Sequence, residues 1–182
     1  GAVRAADGTT YFCLAAPGKE KANIVGSWNG YIPSADTYYQ DYEGNRYFWW
    51  SVDGLKENTD YIYYYIVDTA TKVGDPYARL ILDPSNDKYI PESVFPDMPT
   101  YPSAYVTGNV PVAVYNSGAD TYDWKIKDFK GVDKDRLVIY ELLIRDFTGT
   151  EGQAKGNGTL AGVMEKLDYL HQCHRASPDY GI

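Results

Sequence analysis

The sequence predicts a mostly β chain, an antiparallel β-sandwich followed by a single β/α unit. Three observations carry this. Short runs of aromatic and β-branched residues recur through the first half, punctuated by Gly, Pro, Asn and Asp. Nothing in that half has helical period. Near residue 137 the pattern changes to an unbroken apolar run, then a glycine-rich loop, then an amphipathic stretch.

The elements follow in order. Residues 9–16 (Thr-Thr-Tyr-Phe-Cys-Leu-Ala-Ala) read as a strand closed by Pro17-Gly18, with Cys13 as a small buried side chain in it. Residues 21–26 alternate polar and apolar and lead into the turn-rich Gly26-Ser-Trp-Asn-Gly30. After a polar loop, residues 46–52 (Arg-Tyr-Phe-Trp-Trp-Ser-Val) form a strong strand that ends at Asp53-Gly54. Residues 61–68 (Tyr-Ile-Tyr-Tyr-Tyr-Ile-Val-Asp) form the strongest strand of all. Residues 75–102 hold six of the ten prolines, which remove backbone donors, so the stretch is expected to be extended and ordered by packing on other elements. Residues 110–115 read as one more short strand, and 122–130, with Trp124 and Phe129, as a second connector.

Residues 137–147 read Leu-Val-Ile-Tyr-Glu-Leu-Leu-Ile-Arg-Asp-Phe, with seven of the first eight apolar or aromatic. Such a run fits a strand buried on both faces in a parallel sheet. Leu160, Val163, Met164, Leu167 and Leu170 repeat at helical spacing and form a stripe expected to cover that strand. Thr159 is placed to cap the helix, and Gly162 weakens it by up to about 1 kcal/mol relative to alanine. An apolar strand without neighbours is an edge through which copies of the chain would associate.

Composition narrows the function classes. The chain has 182 residues, is 44% hydrophobic and 23% charged, and no stretch reaches the length of a membrane-spanning helix. A net charge of −8 argues against nucleic acid and anionic membranes and suits a neutral partner. Nineteen tyrosines and four tryptophans supply flat apolar faces with polar edges, suited to strands and to stacking on sugar rings. Cys13 and Cys173 fit no metal motif and no disulfide framework. His171 and His174, three apart on a helix, lack a completing ligand, so no metal and no cofactor are assigned. The first residue is Gly1, which leaves localisation open.

The stretch Val138-Ile-Tyr-Glu-Leu-Leu-Ile-Arg-Asp-Phe147, followed by Gly158-Thr-Leu-Ala-Gly-Val-Met-Glu-Lys-Leu-Asp-Tyr-Leu170, resembles the first strand and first helix of the α-amylase family catalytic barrel, glycoside hydrolase family 13. The upstream half resembles the sandwich that precedes the barrel in branching-enzyme, pullulanase and bacterial amylase members, similar to family 48 carbohydrate-binding modules. The resemblance implies an immunoglobulin-like sandwich at 1–100, a connector at 101–136, and the start of an incomplete (β/α)8 barrel at 137–182. It also implies a bacterial source, with an extracytoplasmic setting slightly favoured.

Family chemistry is retaining, with two carboxyl groups about 5–5.5 Å apart. The resemblance places the catalytic carboxylates on later barrel strands, so none in this chain takes that role and the chain alone is expected to be inactive. Glu141, inside the apolar strand where its pKa would rise, reads as a structural carboxylate paired with an arginine such as Arg145. Arg145-Asp146 would border the active-site mouth of a complete barrel. The tail 171–182 departs from the family's second strand. Codons for Cys173-His-Arg-Ala176 exist that, read one nucleotide later, spell Ala-Ile-Glu-Leu, so the tail is expected to be a frameshift product.

The binding candidates are Trp28, Asn29, Trp49 and Trp50. An indole face can lie against the apolar face of a pyranose while an amide reaches its hydroxyls. Trp28 sits in a turn, where a core role is hard to satisfy. Trp49 and Trp50 are adjacent on a strand, so one faces the core and the other faces out. The expected function is therefore the N-terminal portion of an enzyme acting on α-glucans such as starch, glycogen or maltooligosaccharides. The alternatives are a free-standing α-glucan-binding module and a structural or interaction sandwich that binds no sugar.

Overall fold

Alternation at Thr10–Ala15 fixes the first sheet: in the computed structural model, which describes residues 1–119, 123–148 and 159–175, this strand reads buried, exposed, buried without interruption. It is β2, and it pairs antiparallel with β1 (Ala2–Arg4) on one edge and β5 (Asn45–Val52) on the other. β4 (Tyr38–Tyr42) adds to β5 through a two-residue hairpin loop, giving the order β1-β2-β5-β4. Both loop residues, Glu43 (φ 50°) and Gly44 (φ 78°), are left-handed, as a twist-matched hairpin turn requires.

The second sheet is built on β6 (Tyr61–Val67), which pairs with β3 (Ala22–Gly26) along one edge. Its other edge is shared by β7 (Thr71–Val73) and β9 (Val112–Tyr115), and β9 pairs in turn with β8 (Leu80–Leu82). All of these pairings are antiparallel. Phe12, Leu14, Phe48 and Trp50 of the first sheet form one core with Ile24, Tyr63, Tyr65 and Val67 of the second. The arrangement is a mostly β chain of two antiparallel sheets, consistent with a β-sandwich.

The outer face of the second sheet is also buried. Val25, Tyr64, Leu82, Val112 and Val114 pack there with Val106, and Met98, Tyr101 and Val110 close over them. Tyr101 donates its hydroxyl hydrogen to the Val110 carbonyl at 2.8 Å. Burial on both faces is why residues 61–67 lost the polar alternation of a half-wet strand. Residues 75–91 and 97–102 of the proline-rich stretch thus belong to the same compact unit as the two sheets, and β9 lies inside the second sheet, beyond the boundary at residue 100 expected from sequence. β4, read as polar loop from sequence, is a strand.

The chain divides into two compact units, Gly1–Pro91 with Asp97–Tyr122, and Glu92–Pro96 with Asp123–Ile182. In the second unit Lys134–Arg136 makes a 3-10 turn, and residues 137–143 carry no strand pairing among the described residues. Leu137, Val138, Ile139 and Tyr140 are exposed, and α1 (Ile144–Thr148) follows. The barrel strand expected at 137–147 is therefore not formed. A strand is stabilised by its ladder partners, and no described segment supplies them.

The helix expected over 159–170 is present in two pieces, α2 (Leu160–Met164) and α3 (Leu167–Arg175). The Thr159 hydroxyl accepts from the Gly162 amide at 3.2 Å, the cap read from sequence. Its apolar stripe is not covered as expected, since Leu160, Met164 and Leu167 are exposed. The glycine-rich loop 149–158, the tail 176–182 and the side chains of Arg145, Cys173 and His174 lie outside the description. Glu141, expected inside an apolar strand, is exposed, as is His171.

Candidate functional site

β3 ends at Gly26, and the chain turns through the 3-10 segment Ser27–Asn29 into left-handed Gly30 and Tyr31. Ser27 anchors the turn by accepting the Ile62 amide hydrogen at its Oγ, 3.1 Å away. The turn folds Trp28 back over Gly26, where a Cβ would occupy the position of the indole's six-membered ring. Trp28 then stacks on Phe12 with centroids 5.1 Å apart and lies tilted against Tyr63 at 6.2 Å. A core role, expected to be hard for a turn tryptophan to satisfy, is met in part here. Glycine at 26 opens the space, and the half-buried ring packs against the core between the two sheets.

Asn29 closes its own loop. Its Nδ2 donates to the Ile32 carbonyl at 2.9 Å, and its Oδ1 accepts from the Ile32 amide at 3.2 Å. One amide hydrogen and one lone pair remain for other partners.

Trp49 and Trp50 point to opposite sides of β5, as adjacent strand residues must. Trp50 is 4% exposed and stacks on Tyr65 at 5.3 Å, with 25° between the rings. Its Nε1 is buried without a hydrogen-bond partner among the described residues. Trp49 is 38% exposed and stacks on Tyr38, its cross-strand partner, at 5.0 Å and 25°.

A cleft of about 400 Å³ opens where the end of β5 meets the loop after β3. Trp28, Asn29 and Trp50 all line it, so three of the four expected residues come together, and Trp49 is the one left outside. Sequence reasoning missed Ser34, Asp36, Tyr38 and Asp53, which line the same cleft. Only Tyr38 carried a usable signal, the aromatic spacing of Tyr38, Tyr39 and Tyr42 ahead of Glu43-Gly44. The cleft offers ring faces beside hydroxyl, amide and carboxyl groups, which suits binding a neutral polar ring more than bond cleavage.

Cys13, expected to be buried, lies exposed on the outer face of the first sheet, because alternation from buried Phe12 turns it outward. No group of three or more His, Cys, Asp or Glu that could hold a metal ion occurs among the described residues. No known family model matches the chain, and no curated protein matches it.

Proposed function

We propose that the chain is the N-terminal portion of an α-glucan-active glycoside hydrolase of the α-amylase family. In this reading an immunoglobulin-like sandwich contacts the glucan, residues 137–182 would be the start of the barrel, and catalysis rests on carboxylates this chain does not supply. The observation that carries the binding half is the cleft where Trp28, Asn29 and Trp50 meet beside Asp36 and Asp53. Indole surface with adjacent acceptors matches a pyranose, which has an apolar face and a rim of hydroxyl donors. The orphan Nε1 of Trp50 supports the same reading, since a sugar oxygen reaching it would satisfy the donor.

A second reading has its own support. Trp28 and Trp50 already spend one ring face each on Phe12 and Tyr65, as in a sandwich that only supports its neighbours. Titration of maltoheptaose into the labelled protein, followed by the indole N–H resonances, separates the two. Glucan binding shifts the Trp28 and Trp50 signals, and Asp53→Ala, at an exposed position, weakens the affinity about tenfold, the worth of one good hydrogen bond. Unmoved indole signals at several millimolar sugar assign the sandwich a structural role.

A further inference from the structure

We infer that the free edge of β4 is a self-association site, through which a second copy of the chain adds its own β4 antiparallel and continues the first sheet. The inference does not depend on what the cleft binds.

β4 is the outermost strand of the first sheet, and all of Tyr38–Tyr42 is exposed. The tight hairpin loop makes Tyr42 and Asn45 a hydrogen-bonded pair, so alternation gives the same role to Gln40 with Tyr47 and to Tyr38 with Trp49. The far side of β5 agrees, since the Arg46 carbonyl accepts the Ala16 amide hydrogen at 2.9 Å and is thereby turned toward β2. The amides and carbonyls of Tyr39 and Asp41 therefore point away from the sheet. None of them has a hydrogen bond among the described residues.

The other edges are closed or short. Along β3 the outward carbonyls of Ala22, Ile24 and Gly26 accept from the Thr37 hydroxyl, the Ser34 amide and the Tyr31 amide. β1, β7 and β8 are three residues each. Exposed edges are commonly blunted by lysine, proline or a bulge. β4 has none of these. Its register against β5 is unbroken, and its one charge, Asp41, is held by Arg46 of the same hairpin at 2.7 and 2.8 Å.

What selects a second copy over an unrelated strand is that Tyr-Tyr-Gln-Asp-Tyr is its own complement. With a twofold axis at Gln40, Tyr39 faces Asp41 of the second copy and Asp41 faces its Tyr39, so every outward amide and carbonyl is paired. Tyr38 then lies opposite Tyr42 on the face shared with Trp49, a favourable aromatic pair, and Gln40 lies opposite Gln40. A shift of two residues one way sets Asp41 against Asp41, like charges in direct opposition. The opposite shift moves Asp41 against Thr37, before the strand begins, where the hydroxyl is already held on β3. A shift of one residue sets outward groups against groups already used in the ladder. The paired edge is short, so the dimer is expected to be weak, with a Kd on the order of 0.1–1 mM.

The test is translational diffusion and amide exchange by NMR on the whole chain, at low ionic strength and concentrations up to about 2 mM. The decisive variants are Gln40→Lys and Gln40→Glu, at an exposed position, each first shown to melt like wild type. Either variant alone sets like charges together at the axis, whereas an equal mixture sets lysine against glutamate. The expected result is a reversible wild-type dimer in which protection of the Tyr39 and Asp41 amides rises with concentration. Each variant alone should weaken dimerisation at least about tenfold, and the mixture should recover it. A wild type that stays monomeric at the highest concentration overturns the inference. So does a dimer that neither variant weakens, as association through residues 137–143 would produce. Loss in both variants without recovery in the mixture overturns the twofold pairing at Gln40 on which the second copy was chosen.

Discussion

Tyr63 donates its phenolic hydrogen to Oδ2 of Asp75 at 2.8 Å, inside a core where both residues are almost fully buried. Tyr65 donates to the same oxygen at 3.1 Å, and the Gly1 amino group lies 3.2 Å away. The other oxygen, Oδ1, accepts the Tyr77 amide hydrogen at 2.8 Å and so shapes the turn that leads into β8. One carboxyl group thus ties two strand tyrosines to the chain's return path. Asp75→Ala leaves both phenols without an acceptor and is expected to destabilise the sandwich by about 3 kcal/mol, at one to three for each orphaned donor less the relief of a buried charge. Asp75→Asn keeps one acceptor oxygen and is expected to cost about half as much. Chemical denaturation of the two variants checks this, and equal stability of wild type and Asp75→Ala would remove the carboxyl from the core's account.

The same cluster sets an alkaline limit. Burial, then the charge of Asp75, pushes the phenols of Tyr63 and Tyr65 far above the usual tyrosine value of 10.0. A raised folded-state pKa means that the folded protein holds these protons while the unfolded chain releases them above pH 10. Their contribution is therefore complete below that pH and declines as pH rises past it. Each phenol held protonated lowers stability by about 1.4 kcal/mol per pH unit there. Phenolate absorbance should show the exposed tyrosines ionising first, and the last two only with loss of near-ultraviolet circular dichroism. Smooth ionisation of every tyrosine in a folded protein would count against the buried arrangement.

Residues 137–143 lead to a different measurement. The segment is apolar, exposed, and without ladder hydrogen bonds among the described residues. Its amides are expected to exchange with solvent at least about a thousandfold faster than those of β6, which sits between paired strands. Hydrogen exchange read by mass spectrometry at low protein concentration decides it. Protection equal to that of β6 would mean that this stretch has found strand partners. Protection that rises with concentration would locate them in a second copy.

Sequence made the paired strands legible where two kinds of residue meet. β2, β3, β5, β6 and β9 each carry a run of aromatic or β-branched residues between turn formers, and each falls within a residue or two of where the pattern put it. β4 escaped because Tyr-Tyr-Gln-Asp-Tyr has no aliphatic residue and both of its sides are wet. Asp75 escaped for the opposite reason. An acid next to proline reads as loop, and nothing local shows that Tyr63 and Tyr65 will converge on it from another strand. The run at 137–144 pointed to a buried strand through hydrophobicity alone. Hydrophobicity states a demand for cover, and only partner strands can meet it. In the cleft, tryptophan marked the place, whereas Asp36 and Asp53 look like ordinary loop acids until the fold brings them beside Trp28.

The adjacent pair Trp49 and Trp50 offers the sharpest contrast in the chain, since the two share a strand and a side-chain type and differ only in the face they occupy. Trp50 fills the core against Tyr65, and truncating it to alanine leaves a cavity the size of an indole between the two sheets. Such a change is expected to cost about 3–5 kcal/mol. At roughly 2–4 °C per kcal/mol for a chain of this size, the melting temperature should fall by about 6–20 °C. Trp49→Ala gives up only its stacking on Tyr38 and some partly exposed surface, so it should cost about 1 kcal/mol. Trp50→Phe refines the argument. It keeps an aromatic ring on Tyr65 and removes the buried Nε1–H that has no acceptor among the described residues, so its loss of volume is partly offset by the end of an unsatisfied donor. It should therefore lie much closer to wild type than to Trp50→Ala. Thermal melts of the three variants test the ordering Trp50→Ala below Trp50→Phe, with Trp49→Ala near wild type. If Trp49→Ala proved the most damaging of the three, the first sheet would have to face the other way.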